Sequence, residues 1–331
     1  MGPFFTIAVT VYDRKEFLYE CLTSILQQTF KNFEIIVGND YTGEKFSSEM
    51  FGINDSRIRF INHTQNIGEI SNMNKLLEMS RGRYFTWLAD DDMYTPTFLE
   101  MIRSALDKYD FPPCVFTSYM QGSTLPLQTD ISNRKIQVLP GRDFLRRYLS
   151  RELKISGTLG VFDRQYIRQL GGIEQLGDGF SPYSDNLLAI KAAVHEKVIY
   201  INAPLVFFRL HDNSISLTSP DVDAYSSAQR DLLPRCISVF KSEGLSDDFH
   251  SNLFLLLKWC LSNYCAVMCR SGSLQFGKLI KYILFLTSYL KKLKTHRCEM
   301  MVIILRSTRK LVMQMVKESF KNKISLNFRK V

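Results

Sequence analysis

From Phe4 onward the chain alternates strand-length apolar runs with helix-length amphipathic segments, and this order leaves few folds open. Phe4–Val11 is almost unbroken in its apolarity, as a strand covered on both faces must be. Glu16–Gln28 then sets Phe17, Leu18, Cys21, Leu22, Ile25 and Leu26 on one helical face. Phe33–Gly38 is a second strand ending in Asn39-Asp40, and Arg57–Asn62 is a third. Gly68–Ser80 is a helix carrying Ile70, Met73, Leu76 and Leu77; Gly82 breaks the pattern before Tyr84–Ala89, a fourth strand that stops at Asp90-Asp91-Asp92. Thr95–Lys108 follows as a helix with Thr95 as cap and Pro96 at its first position, then Val115–Ser118 as a strand. Repeated strand–helix–strand crossings predict an α/β fold built on a doubly wound, mainly parallel sheet. Ligands of such sheets sit beyond the carboxyl ends of the strands, where Tyr12-Asp13, Asn39-Asp40 and Asp90-Asp91-Asp92 all fall.

Beyond Pro140 the alternation weakens. Arg142–Ser150 and Ser184–His195 read as helices, Thr158–Phe162 as strand-like, and Lys197–Asn202 and Leu205–Leu210 as two closing strands. After about Asp221 only helical patterns remain: Asp221–Ser242, Asp247–Cys269, Leu274–Leu293 and Arg297–Lys321. Charge divides at the same place. Residues 1–220 hold 23 Lys/Arg against 25 Asp/Glu, a balance of −2, while residues 221–331 hold 19 against 8, a balance of +11. The chain therefore divides into an α/β domain over 1–220, with halves about 1–118 and 119–220, and a basic helical region over 221–331.

Three consecutive carboxylates at a strand end repel one another unless a cation compensates. Hard divalent ions take oxygen ligands, commonly one or two carboxylates plus diphosphate oxygens, so Asp90-Asp91-Asp92 points to a Mg²⁺ or Mn²⁺ cofactor. Among the seven cysteines, Cys265 and Cys269 share a helix face but lack a second Cys pair or a nearby His, which favours buried free thiols over a metal site. Reduced thiols and an opening strand in place of a leader sequence lead to an expected cytoplasmic location. The apolar runs Tyr282–Leu290 and Met300–Leu305 are too short to span a bilayer.

Several segments resemble glycosyltransferase family 2. Phe5-Thr6-Ile7-Ala8-Val9-Thr10-Val11-Tyr12-Asp13-Arg14 and Leu22–Phe30 look like the family's opening; Phe33–Asp40, Asn66-Ile67-Gly68 and Gly82–Asp92 continue it in order. The likeness runs from about residue 4 to 215 and implies a GT-A fold and inverting transfer from a nucleotide-diphosphate sugar, chiefly a UDP-sugar, to a hydroxyl of a polysaccharide or lipid-linked oligosaccharide. By the resemblance, Thr10, Tyr12 and Asp40 face the nucleotide base, Asp90 the ribose and Asp91 the metal. His211, in an Arg-x-His segment, faces the metal or diphosphate, and Arg209 of the same segment balances phosphate charge. By the same resemblance Asp185 is the catalytic base that takes the acceptor proton, with Asp178 in reserve, and the positive end of the helix it opens favours its ionised form; on spacing alone, the helix-cap reading wins. The sequence departs from the family at Asn39, where an Asp is common, and at Met73-Asn74, where many members carry an Arg; Lys75 or a residue elsewhere must then supply a cation to the donor.

Residues 270–331 contain 15 Lys/Arg and two acids, Glu299 and Glu318, and Lys278, Lys281, Lys291, Lys292 and Lys294 interleave with apolar residues. This is an amphipathic basic pattern, compatible with a solvated bundle face or with an anionic membrane, and the family's lipid-linked acceptors favour peripheral contact with the inner face of the cell membrane. No aromatic-basic recognition module supports a nucleic-acid partner. A nucleotidyltransferase also sets Asp pairs at strand ends, but Thr10–Lys15 lacks the Gly-rich loop such an enzyme needs.

Overall fold

The computed structural model describes residues 2–124, 134–211, 219–272 and 275–328, with side chains as far as Met315. Residues 125–133, within the connection after the strand expected at Val115–Ser118, and residues 212–218 lie outside the described residues. Two compact units emerge: Met1–Gln175 with Ser184–His211, and Leu176–Tyr183 with Asp212–Val331.

The first unit is built on a nine-stranded sheet. Its elements are β1 (Phe5–Val11), α1 (Lys15–Leu26), β2 (Phe33–Asn39), β3 (Ile58–Asn62), α2 (Glu69–Met79), β4 (Tyr84–Ala89), β5 (Met93–Tyr94) and α3 (Phe98–Lys108). Then come β6 (Cys114–Gly122), β7 (Ile136–Leu139), α4 (Gly141–Leu149), β8 (Val161–Asp163), α5 (Arg164–Gln169), α6 (Ser184–Ala192) and β9 (Val198–Arg209). The order is β3-β2-β1-β4-β8-β6-β9-β5, with β7 beside β9. β1 pairs in parallel with β2 and β4, and β2 with β3, so these four strands end on one rim. Beyond β4 the sheet is mixed: β8 runs antiparallel to β4 and β6, whereas β6 and β9 are parallel. Phe5, Ile7, Val9, Ile35 and Val37 are buried on one side with Leu18, Leu22 and Ile25 of α1, each such side chain contributing about 1.5–3 kcal/mol on leaving water.

Two local expectations are corrected. α3 begins at Phe98, not Thr95, and its N-cap Thr97 makes no side-chain cap bond. The Gln28 amide supplies one instead: its Oε1 accepts the Leu99 N–H at 2.9 Å while its Nε2 donates to the Thr95 carbonyl at 2.7 Å. The two closing strands form one, β9, because the Ala203-Pro204 break is absorbed as an irregularity in register opposite Ser118. Proline lacks the ladder N–H and is tolerated at such a bulge.

The second unit contains helices α7 (Val222–Phe240), α8 (Phe249–Arg270), α9 (Phe276–Ser288) and α10 (Arg297–Phe328). Tyr264 and Tyr282 stack with ring centroids 3.6 Å apart, and Gln229 donates to the Tyr183 hydroxyl and the Cys260 carbonyl while accepting from Tyr282. The segment Ser246–Arg270 is long and apolar enough to cross a membrane, unlike the two runs singled out in the sequence. More than half of its 18-residue apolar window, 56%, is nonetheless buried, which accounts for its apolarity as core packing.

Candidate active site

The carboxyl-end rim of the parallel strands gathers the acidic residues. Val11 lies opposite Asn39 and Thr10 opposite Ala89, so Tyr12, Asp40 and Asp90 leave three neighbouring strands at one level. With strands about 4.8 Å apart, the ends of β2 and β4 are separated by about 10 Å, with β1 between them.

Asp40 is buried, and both its oxygens are used: Oδ1 accepts the Ile67 N–H at 2.8 Å and Oδ2 the Gly68 N–H at 2.9 Å. Gly68 sits at φ +83, a left-handed conformation that costs glycine little, and this turn delivers both amides before α2 starts. Asn39, the departure from the family, organises the adjoining loop. Its side chain accepts from the Tyr41 N–H and donates to the Glu44 carbonyl and Asn62. Tyr12 is 54% exposed and meets Tyr41 edge-on at 5.5 Å, forming an aromatic wall next to Asp40.

At the end of β4 the triplet divides its tasks. Asp92 turns inward and accepts the Arg209 N–H at 3.1 Å, tying β9 to β4's end. Burial raises its pKa well above the ordinary carboxylate value, and Asp91 adds to the rise. Asp90 is fully buried; burial pushes it up to about 7, Arg14 opposing and Asp91 reinforcing. Asp91 is partly exposed, and its Oδ2 meets His211 Nε2 at 2.9 Å. Arg209, expected near phosphate, is instead committed elsewhere: Nε donates to the Asp91 carbonyl at 3.1 Å, Nη2 pairs with Glu20, and the guanidinium lies over Phe17.

Sequence reasoning assigned no role to the cation that compensates this cluster. Arg14 follows Asp13, which holds φ +52, a left-handed conformation uncommon outside glycine. It donates through Nε and Nη2 to the two oxygens of Asp90, at 3.0 and 2.5 Å, and through Nη1 to Asp91 Oδ2 at 2.8 Å. Its only sequence signal was a lone base in the β1–α1 turn, facing acids 76 and 77 positions away. Lys75, the alternative cation, pairs with Glu78 at the surface.

Asp185 opens α6 and accepts from the Ser156 hydroxyl at 3.1 Å. The helix terminus was expected to favour its ionised form. Ser156 and the backbone amides of Gly157, Asp185 and Asn186 do pull that way, but burial outweighs them and the pKa is raised. Gly157 permits the approach, since a Cβ there would meet the Asp185 carbonyl oxygen at 1.8 Å. Glu69, the first residue of α2, feels the charges of Arg14, Asp185 and Asp91 together, so the base candidate and the acidic rim lie in one neighbourhood. The reserve carboxylate Asp178 is exposed and belongs to the second unit.

Among the described residues no three His, Cys, Asp or Glu side chains form a complete metal cage. Asp91 and His211 offer one carboxylate and one imidazole at a common point, a partial donor set that fits a divalent ion completed by diphosphate oxygens and water.

The profile of the glycosyl transferase family 2 domain matches residues 6–171. EpsH of Bacillus subtilis, named a putative glycosyltransferase, is 25% identical over 223 residues, 64% of this chain and 62% of its own. Glycosyltransferase GlyA of Streptococcus pneumoniae is 29% identical over 228 residues, again 64% of this chain but 31% of its own. The chain thus spans less than two thirds of these curated relatives. Crystal structures of S. aureus TarS 1–349 share the architecture: the UDP complex has TM-score 0.64 at 12% identity, covering 98% of this chain and 92% of that one. A mannosyltransferase from Pyrobaculum calidifontis, solved with GDP-Man and Mn²⁺, has TM-score 0.50 at 17% identity, covering 94% and 88%. The GT-A-like sheet, the acidic rim at its strand ends and the matched profile agree: this chain belongs to glycosyl transferase family 2.

Proposed function

We propose that the protein is an inverting glycosyltransferase that moves a sugar from a UDP-sugar to a hydroxyl of a polysaccharide or lipid-linked oligosaccharide, in cell-surface glycan synthesis. The observation that carries this reading is the convergence of Asp40, Asp90 and Asp91 on one rim of adjacent parallel strands. TarS structures hold UDP and UDP-GlcNAc, which supports the uridine donor, and the names of EpsH and GlyA support the class of chemistry.

In this reading Thr10, Tyr12 and Asp40 bind the base, and the Ile67 and Gly68 amides fix Asp40's carboxylate plane. Asp90 faces the ribose. Asp91 and His211 hold Mn²⁺ or Mg²⁺, the imidazole favouring the transition ion; such an ion supplies Lewis-acid neutralisation of the leaving diphosphate. Asp185 accepts the acceptor hydroxyl's proton. The oxygen then attacks the anomeric carbon from the face opposite the leaving group, and the electron pair of the breaking bond departs with the diphosphate, inverting the centre. A pKa raised by burial makes the Asp185 carboxylate a stronger base.

Peripheral contact with an anionic membrane, at its cytoplasmic face, belongs to the same proposal. Phe276, Ile280 and Leu284 of α9, 57%, 56% and 64% exposed, recur every four residues and form a stripe on one face. Lys278 and Lys281 lie among them, the composition of an interfacial helix.

A panel of nucleotide sugars in thermal-shift assays, with Mn²⁺ and with EDTA, tests the donor assignment. UDP-sugars should stabilise the protein more strongly with metal than in EDTA; stabilisation by none, or equally in EDTA, would overturn it.

A further inference from the structure

Arg14 occupies the position that a metal–diphosphate complex needs. Its guanidinium spans both Asp90 oxygens and reaches Asp91 Oδ2 at 2.8 Å, on the same oxygen that meets His211 at 2.9 Å. A carboxylate oxygen offers about two lone-pair directions, so Arg14 and His211 together occupy those of Asp91 Oδ2. A divalent ion approaching Asp91 therefore competes with a positive charge already seated there.

We infer that Arg14 is an exchangeable counterion: it neutralises Asp90 and Asp91 in the free protein and passes to the donor's diphosphate when nucleotide and metal bind. The inference rests on the donor reading above. Three features make the exchange physically reasonable. The side chain is 35% exposed, so solvent already reaches it. It stands at the N-cap of α1, where its backbone has left the strand and not entered the helix, directly after the strained turn at Asp13. A guanidinium fork matches phosphate as well as carboxylate, so the departing cation finds an equivalent partner on the incoming ligand.

The consequence is cooperative binding. Without nucleotide, Arg14 holds the metal off Asp91; with a diphosphate to receive it, Arg14 releases Asp91 and metal affinity rises. By linkage, the metal tightens nucleotide binding by the same factor. A static ion pair behaves differently: removing it would shift metal affinity equally with and without nucleotide.

The test measures Mn²⁺ binding to the whole protein by the loss of the free-ion electron paramagnetic resonance signal, with and without UDP, for wild type, Arg14→Gln and Arg14→Lys. UDP binding in EDTA is measured alongside. UDP should tighten wild-type Mn²⁺ binding by about tenfold or more, within the usual range of coupling between sites. Arg14→Gln should bind Mn²⁺ about tenfold more tightly than wild type without UDP, lose most of the UDP effect, and bind UDP more weakly in EDTA. Arg14→Lys keeps the charge without the fork and should fall between them; it carries the test if the Gln variant shows no cooperative melt. A UDP effect equal in all three proteins would overturn the exchange while leaving the donor reading intact. Failure of wild type to bind Mn²⁺ even with UDP would overturn the donor reading, and the exchange with it.

Discussion

The two halves of the sheet place their polar residues by different means. In the parallel half, β3-β2-β1-β4, each chemically important residue directly follows a strand, so Tyr12, Asp40 and Asp90 reach one rim through strand direction alone. In the mixed half, β8-β6-β9-β5, only β6 and β9 run with β4, so β8 and β5 end away from the rim while the end of β9 brings His211 to Asp91. The base candidate is placed by other means. Asp185 is held by a helix start against Ser156 and Gly157. A rim built from strand direction is robust to changes elsewhere, whereas a base held by packing depends on its neighbours.

Substitutions can break that contrast. The largest effect should come from Asp91→Ala, which removes the carboxylate assigned to the metal. Turnover should fall by about a thousandfold or more, since a Lewis acid is worth several kcal/mol, with the melting profile preserved. Full activity of this variant, or activity undiminished in excess chelator, would remove the metal role. Asp185→Asn should lower turnover by about 10²–10⁴-fold while donor binding, measured by calorimetry, stays within about twofold. Equal losses of both would mean that Asp185 shapes the site and is not the base. Asp40→Ala leaves the Ile67 and Gly68 amides without their acceptor, a loss of about 1.5–3 kcal/mol for each charge-assisted bond. It should weaken UDP binding more than it slows turnover at saturating donor.

The finest probe is pH. Asp185 must be ionised to accept a proton, and its folded pKa lies above 3.8, so activity falls as pH drops through that raised value. Ser156 lowers the pKa through its hydrogen bond. Ser156→Ala should therefore move the acidic limb of the turnover profile to higher pH, and an unmoved limb would assign that limb to another group.

The same contrast explains what could be read from the amino acids. Strand runs of nearly unbroken apolarity and their acidic stops are local patterns, so β1, β2 and β4 and their rim were visible from Phe4 to Asp92. Gln28 serving the start of α3 was not, because the amide and the N–H it accepts lie 71 positions apart. Arg14 was hidden for the same reason: a basic residue in a turn carries no mark of the carboxylates it will meet. At Asp185 the helix start was legible, but the sign of the pKa shift was not, since burial and the amides oppose each other and only packing decides between them. Arg209 shows the converse, a motif-like base whose donors are taken by Glu20 and the Asp91 carbonyl.

The most direct measurement of the central claim is an anomalous-diffraction map of crystals grown with UDP and Mn²⁺. A manganese peak bonded to Asp91 and both phosphates, with the uracil against Asp40 and Tyr12, is the predicted result. A nucleotide bound away from this rim, or a metal peak remote from Asp91, would contradict it.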